Sequence, residues 1–129
     1  MPQYEVSNFG TKPCRHNQAY WRYEPYLGAG CGAVGFDGKK RYSANKNIAL
    51  YLENPNSLDF EKITSDEHFF EQLFLGLRSN IGISEDIMSP LVKKRAQTLV
   101  NENLLKFKNG NYYSKDYFLA DSLVLFIVQ

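Results

Sequence analysis

The short segment from Cys14 to Trp21 holds the side chains of this chain that are best suited to chemistry. A thiol at Cys14 and an imidazole at His16 could each bind a metal ion, and the aromatic rings of Tyr20 and Trp21 could lie against a flat ligand. A structural role is the alternative. In it, His16 hydrogen-bonds to the backbone to pin a loop, while the two aromatic rings belong to a core.

Asn17 shares the structural alternative with His16, and a set of glycines follows the two residues in the chain. Gly28, Gly30 and Gly32 occupy every second position. On an extended strand from Tyr26 to Ala33, they would all face one side and leave it without side chains. Such a face predicts the close approach either of a flat ligand or of another main chain, and the sequence leaves both open.

A dinucleotide-binding loop is excluded for the same glycines. Gly30, Gly32 and Gly35 match the G-x-G-x-x-G spacing, but that fingerprint requires a helix to begin at the third glycine. Asp37-Gly38 follows instead, which predicts a tight hairpin. The glycines therefore do not predict a nucleotide site.

The elements that must position these residues alternate between strands and helices. Tyr4–Phe9 is predicted as a short strand, and Thr11–Tyr26 as a long loop. The pattern then predicts a helix over 48–53 capped by Asn47 and a linker over 54–57. A Thr64/Glu67 capping box predicts the next helix, in which Gly76 would be a close packing point and His68 would face solvent. After it come a short helix capped by Ser84, a helix opened by Ser89-Pro90, a hairpin around Asn109-Gly110 and a last helix from Ser114. This order is typical of a winged-helix-like module.

Composition narrows the class of protein. The chain has 129 residues, 15% aromatic content and two cysteines, Cys14 and Cys31, too few for a disulfide scaffold. Residues 1–47 carry seven Lys or Arg and three acidic residues, which suits a carboxylate- or phosphate-bearing ligand but also an ordinary solvated surface. No signal peptide or membrane-length apolar run is present, so a cytoplasmic location is predicted.

Several motifs in a fixed order resemble one known family. They are YEVSNFG from residue 4, RHNQAYW from residue 15, YLGAGCGA from residue 26 and LGLR from residue 75, followed by GI. Together they resemble the C-terminal half of the oxygen-independent coproporphyrinogen III oxidase-like radical SAM proteins. The H-N-x-x-Y-W element, His16 to Trp21, resembles the HemW-like haem chaperone branch. The resemblance spans most of the chain and is most specific over residues 4–33.

The resemblance implies a fold that is α/β plus α+β. Residues 1–60 would form the C-terminal end of a partial radical SAM (β/α) barrel, with the HNxxYW loop and a glycine-rich strand. Residues 61–129 would form a winged-helix-like, mainly helical domain. Because earlier barrel strands would be missing, Tyr4–Phe9 would have an unpaired edge, and the resemblance predicts self-association through it.

The resemblance also implies cofactors. Full-length relatives hold a [4Fe-4S] cluster on a C-x-x-x-C-x-x-C motif, and the cluster binds S-adenosylmethionine. This chain has two separated cysteines and lacks that motif. We therefore expect the chain alone neither to hold the cluster nor to perform radical catalysis, whereas the family as a whole includes oxidoreductases.

For function, the resemblance implies haem or porphyrin binding and transfer to acceptor proteins. His16 becomes a candidate axial ligand of haem iron, with Cys14 as its rival, and Asn17, Tyr20 and Trp21 complete the cofactor-binding segment. Gly28, Gly30 and Gly32 would admit the flat ligand. Relatives often have a histidine where this chain has Val34, so a role for that histidine is not carried over.

Two alternatives remain at this stage. The chain could be part of an oxygen-independent coproporphyrinogen III oxidase, an enzyme of porphyrin biosynthesis. It could also be a winged-helix module that binds nucleic acid through a basic set of side chains: Lys93, Lys94, Arg95, Lys106 and Lys108. The near balance of charge over residues 84–129 disfavours the second alternative.

Overall fold

The computed structural model describes all residues, 1–129, and divides them into two compact units. The first unit joins Met1–Tyr23 to His68–Gln129, and the second is Glu24–Glu67. The helices are α1 (Arg15–Trp21), α2 (Ile48–Glu53), α3 (Ser65–Leu77), α4 (Pro90–Asn101) and α5 (Ala120–Val128), with 3-10 turns at Glu85–Ile87 and Tyr117–Leu119. The strands are β1 (Gln3–Glu5), β2 (Asn8–Phe9), β3 (Val34–Phe36), β4 (Lys40–Ala44), β5 (Leu58–Lys62), β6 (Ile83–Ser84), β7 (Leu105–Lys108) and β8 (Asn111–Ser114).

The hydrophobic core of the first unit lies between α3, α4, α5 and a three-stranded sheet of order β6-β8-β7. Twelve buried side chains form it: Leu73, Leu77, Ile83, Met88, Ala96, Leu99, Leu105, Tyr112, Ala120, Leu123, Val124 and Ile127. The apolar stripe predicted for α3 does face this core through Leu73 and Leu77, whereas Phe70 is 40% exposed. The helices are thus fixed by burial of one face each.

Helix ends lie where the capping residues predict them. Thr64 Oγ1 accepts the N–H of Glu67, and the Glu67 carboxylate accepts the N–H of Thr64, which completes a capping box. Asn47, Ser84 and Ser89 each accept a backbone N–H at the start of their helix or turn. The prediction that Ser114 opens the last helix is wrong, because Ser114 ends β8 and the following 3-10 turn is capped from residue 116.

The N-terminal strand differs from the prediction. Instead of one strand over Tyr4–Phe9, the chain makes β1, a turn and β2, which pair antiparallel. On its other side, β1 meets the segment after α3: Val6 N–H bonds to the carbonyl of Arg78, and Asn80 N–H bonds to the carbonyl of Tyr4, both at 2.8 Å. The edge of β1 that was predicted to be unpaired is therefore occupied. Self-association stays a prediction, but an unpaired edge of β1 no longer supports it.

The second unit contains a three-stranded antiparallel sheet of order β3-β4-β5, and α2 lies between β4 and β5 in the chain. The predicted hairpin is confirmed: Phe36 pairs with Arg41, and Gly38 takes a positive φ of 94° in the turn. Strand β5 was not predicted, although Leu58 and Phe60 alternate with Asp59 and Glu61 in its sequence, LDFEK; the alternation is short, and every residue of the strand is exposed.

The two units do not coincide with a division at residue 60. The N-terminal 23 residues belong with the C-terminal elements, because β1 pairs with residues 78–80. The assignment to a barrel end and a winged helix stays a prediction. None of the helices has the length and apolar character needed to cross a membrane.

Gly76 provides a test of the packing of the first unit. A Cβ at Gly76 would lie 2.2 Å from the carbonyl oxygen of Gly82, so the two backbones are in direct contact. We expect Gly76→Ala to lower the free energy of unfolding by about 1–3 kcal/mol, although alanine favours helix by about 1 kcal/mol. Urea unfolding measures this. Gly10→Ala is the matched control, since its Cβ would meet nothing closer than 3.7 Å; equal stabilities of the two variants would contradict the prediction.

The turn of the second unit predicts a pH dependence. Asp37 Oδ1 accepts the N–H groups of Lys40 and Lys39, each at 2.8 Å, and these bonds lower the pKa of Asp37 below its ordinary value of 3.8. A lowered pKa in the folded state contributes stability above the unfolded pKa that is lost as pH falls through the folded pKa. We expect Asp37→Asn to flatten the loss of stability below about pH 4. Urea unfolding at pH 5 and pH 3 checks this, and identical pH dependence in both proteins would contradict it.

Candidate functional site

The segment predicted to carry the chemistry is a helix. Residues Arg15–Trp21 form α1, two turns long, within what was predicted to be a loop. Pro13 lies outside the helix, and none of the seven helical residues is proline, glycine or β-branched, so no residue of the segment opposes helical angles strongly. The prediction of a loop was wrong because the helix has only one buried residue, Gln18, and so lacks an apolar stripe.

One face of α1 is fixed to the first unit by polar contacts. The side-chain amide of Gln18 donates to Oδ1 of Asn80 at 3.0 Å. At the N-terminal end, the Cys14 N–H bonds to the hydroxyl of Tyr4 at 3.4 Å. Because Asn80 also pairs with the backbone of Tyr4, the helix, β1 and the segment after α3 form one connected set.

A buried carboxylate anchors the C-terminal end of the same face. Glu5 is 1% exposed. Its oxygens accept hydrogen bonds from the indole N–H of Trp21, from the amide of Asn8 and from the hydroxyl of Ser7 at 3.1 Å. Glu5 was not predicted as a site residue, although the nearby Ser7 and Asn8 are residue types that often form such local hydrogen bonds. Trp21 is therefore held by a charge-assisted bond.

The opposite face of α1 presents His16 and Tyr20. They lie four residues apart, one turn along the helix, and their rings meet edge to face with centroids 4.9 Å apart. His16 is exposed and Tyr20 is 38% exposed. Cys14, which precedes the helix, is also exposed and is not in a disulfide. Asn17 is half-buried between the two faces.

The three predicted glycines do not form a strand. Tyr26 makes an isolated bridge to Phe36, and the chain then turns, with φ of 110° at Gly30 and 69° at Gly32 and a bond from Ala33 N–H to the Gly30 carbonyl. The strand prediction was wrong because positive φ angles are incompatible with a strand.

Gly28 has a packing role within the second unit. A Cβ at Gly28 would lie 2.3 Å from the carbonyl oxygen of Val34, so the close neighbour here is another main chain. The Tyr42 ring lies in the same way on Gly35, and its hydroxyl accepts the N–H of Gly28 at 3.3 Å. The role of Tyr42 was not predicted from the sequence. A role of these glycines toward a ligand stays a prediction.

His68 was predicted to face solvent, but it has a partner within the first unit. It lies in the first turn of α3, where its Nδ1 is 2.9 Å from the hydroxyl of Tyr23. The same hydroxyl donates to Oε2 of Glu71 at 2.6 Å. The partner was missed because it lies 45 residues away in the chain, at the end of a helix that was not predicted.

The donor set of this chain does not fit a [4Fe-4S] cluster. Such a cluster with one open iron needs three thiolates, and this chain has two cysteines, Cys14 in the first unit and Cys31 in the second. No group of three or more His, Cys, Asp or Glu side chains is arranged to hold a metal ion. A haem iron needs only one or two protein ligands, and the exposed imidazole of His16 meets that lesser requirement.

The Glu5 anchor can be tested through the only tryptophan of the chain. Glu5→Ala leaves the indole N–H of Trp21 and the Asn8 amide without their acceptor, so we expect a loss of about 1–3 kcal/mol in unfolding free energy and a red shift of Trp21 emission. Glu5→Gln keeps one acceptor oxygen, so its unfolding free energy should lie between those of the wild-type chain and Glu5→Ala. Glu61→Ala is the control, since that carboxylate is exposed and pairs loosely with Arg41 at 3.6 Å. Equal effects of the Glu5 and Glu61 variants would contradict the anchor.

Known proteins resemble the chain in sequence. No model of a protein family matches it. The heme chaperone HemW of Synechocystis is 34% identical over 90 residues, which is 63% of this chain, and that of Bacillus subtilis is 34% identical over 64% of it. The Lactococcus lactis HemW is 31% identical over 118 residues, or 88% of this chain. The matches cover 22%, 24% and 31% of these relatives, so the chain spans less than a third of their length.

One solved structure shares the fold. Coproporphyrinogen III oxidase (HemN) from Escherichia coli, described as a radical SAM enzyme, superposes with a TM-score of 0.55 over 81% of this chain and 28% of its own, at 16% identity. This confirms the coarse part of the fold prediction: the chain has mixed helix and sheet and a fold similar to that of HemN. The motif-based resemblance is thus confirmed in sequence and in fold: the chain is similar to a C-terminal fragment of the HemW-like radical SAM proteins.

Proposed function

We propose that this chain binds haem or a related porphyrin for transfer to an acceptor protein, as a part of a HemW-like protein. The observation that carries the proposal is the outward face of α1, where the exposed imidazole of His16 lies against the ring of Tyr20. The similarity to proteins named heme chaperones supports the choice of ligand.

The geometry of α1 suits a flat iron-containing ligand in three respects. The imidazole is accessible, so a nitrogen of His16 can reach an iron atom without unfolding of the helix. Tyr20 offers an adjacent ring for contact with the porphyrin. Arg15 and Arg22, both exposed at the two ends of the helix, can meet carboxylates of the ligand.

The other predicted residues have distinct parts in this proposal. Cys14 is exposed beside the start of α1 and is the rival ligand, through its thiolate. The indole N–H of Trp21 donates to Glu5, so Trp21 also supports the helix, and Asn17 is half-buried; contact of the ligand with these two residues is retained as part of the proposal. Contact of the ligand with Gly28, Gly30 or Gly32 is retained as part of the proposal.

The radical chemistry of full-length relatives would depend on residues outside this chain. S-adenosylmethionine and the [4Fe-4S] cluster would be bound elsewhere, because the two cysteines here do not suffice. Residues 1–60 would correspond to the end of the radical SAM barrel and residues 61–129 to the winged-helix-like domain, as proposed from the motifs.

A nucleic-acid-binding role is less well supported. Two of its five basic side chains are engaged within the first unit: Lys93 lies 3.6 Å from Glu85, and Arg95 donates to the carbonyl of Ile127 at 3.1 Å. Such contacts leave a smaller cationic surface for phosphates. The haem proposal therefore takes precedence.

A haemin titration followed by visible absorbance tests the proposal. We expect a saturable shift of the Soret band with the wild-type chain and its loss in His16→Ala, because the variant lacks the imidazole that ligates the iron. Quenching of Trp21 fluorescence in the same titration would report binding of haemin to the chain, since this is the one tryptophan.

Cysteine variants supply the controls for that titration. Cys14→Ser separates the thiolate from the imidazole as ligand, and Cys31→Ser is matched to it because both cysteines are exposed. Both variants should keep the Soret shift. An unchanged shift in His16→Ala, or no shift in the wild-type chain, would contradict binding at α1.

A further inference from the structure

The residue that ends α1 has an unusual backbone conformation. Arg22 is the C-cap, and Tyr23 follows it with a left-handed φ of 61°. Glycine is the residue most common at this position, because a β-carbon makes left-handed angles unfavourable. A tyrosine persists here only if other contacts hold it.

Those contacts come from the first half of α3. The Tyr23 hydroxyl donates to Oε2 of Glu71 at 2.6 Å, and it lies 2.9 Å from Nδ1 of His68. The hydroxyl has a single hydrogen, which it donates to the carboxylate of Glu71. The bond to His68 therefore requires that Nδ1 of His68 carries a hydrogen and donates it to the phenolic oxygen. The Tyr23 and His68 rings also meet edge to face at 5.6 Å.

These contacts tie α1 to the core of the first unit. His68 and Glu71 are three residues apart, so they lie on one face of α3. The same helix buries Leu73 and Leu77 completely. The hydroxyl of Tyr23 is thus held by a helix that the core fixes in place.

Tyr23 also acts on the outward face of α1. Its N–H bonds to the carbonyl of Tyr20 at 2.9 Å, which closes the last turn of the helix. The ring of Tyr20 contacts His16. A continuous series of contacts therefore runs from α3 through Tyr23 and Tyr20 to His16.

We propose that Tyr23 is a positioning residue, clamped by His68 and Glu71, that fixes the last turn of α1 and thereby the orientation of Tyr20 and His16. It touches no ligand itself. As far as the ligand is haem, the inference rests on the proposed function; the clamp on α1 is a property of the chain alone. The two claims can be tested separately in one set of variants.

Tyr23→Phe is the decisive variant, because it keeps the ring and removes only the hydroxyl. We expect amide hydrogen exchange at residues 18–22 to become about tenfold faster, since one charge-assisted and one ordinary hydrogen bond are lost. Tyr113→Phe is the matched control, in which the lost hydroxyl accepts a bond from Asn111 on β8, outside the clamp. Equal exchange at residues 18–22 in wild type and Tyr23→Phe would overturn the clamp.

Glu71 variants separate the hydrogen bond from general damage. Glu71→Gln keeps an acceptor for the Tyr23 hydroxyl and should exchange close to wild type, whereas Glu71→Ala should fall between wild type and Tyr23→Phe, because the bond between Tyr23 and His68 remains. Equal exchange in Glu71→Gln and Glu71→Ala would overturn the role assigned to this bond.

Haemin affinity tests the second claim. We expect Tyr23→Phe to bind haemin about three- to tenfold more weakly, with a broadened Soret band, while Tyr113→Phe binds as wild type does. Faster exchange with unchanged affinity would overturn the positioning of the ligand face. Absence of haemin binding in the wild-type chain would remove the proposed function, and the exchange data would still decide the clamp.

Discussion

A buried carboxylate must be surrounded by hydrogen-bond donors, and in this chain that requirement falls on Glu5. Burial of an ionised group is costly unless donors replace the lost water. Here the donors come from the turn after β1 and from the indole of Trp21. Satisfying Glu5 therefore fixes α1 against β1, and the bonds of β1 to residues 78 and 80 in turn fix both to the end of α3. The outward face of α1 exists as a defined surface because its inward face is held in this way.

This arrangement explains why the chemistry-bearing residues divide into two sets. The side chains at positions 18 and 21 attach the helix to the rest of the unit, whereas those at positions 16 and 20 contact each other and are exposed. Helix α1 is only two turns long and has no apolar stripe. Polar contacts therefore hold it in place, whereas α3 is held by burial of its hydrophobic face. A haem-binding role would need such a division, since one face of this short helix must attach to the protein while the other contacts the ligand.

How much of this followed from the sequence depended on the range of the interactions involved. Caps at Asn47, Thr64, Ser84 and Ser89 and the turn at Asp37-Gly38 involve neighbours within a few residues, so local patterns predicted them. The helical state of α1, the partner of His68 and the burial of Glu5 depend on contacts between distant segments, which no local pattern encodes. The glycines illustrate the limit: their spacing was compatible with a strand, and the positive φ angles at Gly30 and Gly32 show that a turn is formed instead. Candidate site residues were predicted from motifs, whereas the residues that hold them in place were not.

The discontinuity of the first unit has a consequence for how the chain folds. Its two segments are separated by the whole of Glu24–Glu67, and the bond between Gln18 and Asn80 joins residues 62 apart in the chain. Closing so long a loop costs chain entropy before any contact repays it. The C-terminal helices and their hairpin are built from nearer neighbours and can form first. The N-terminal segment would then be the last part of the unit to join, so α1 and its outward face would acquire their order only when folding is otherwise finished.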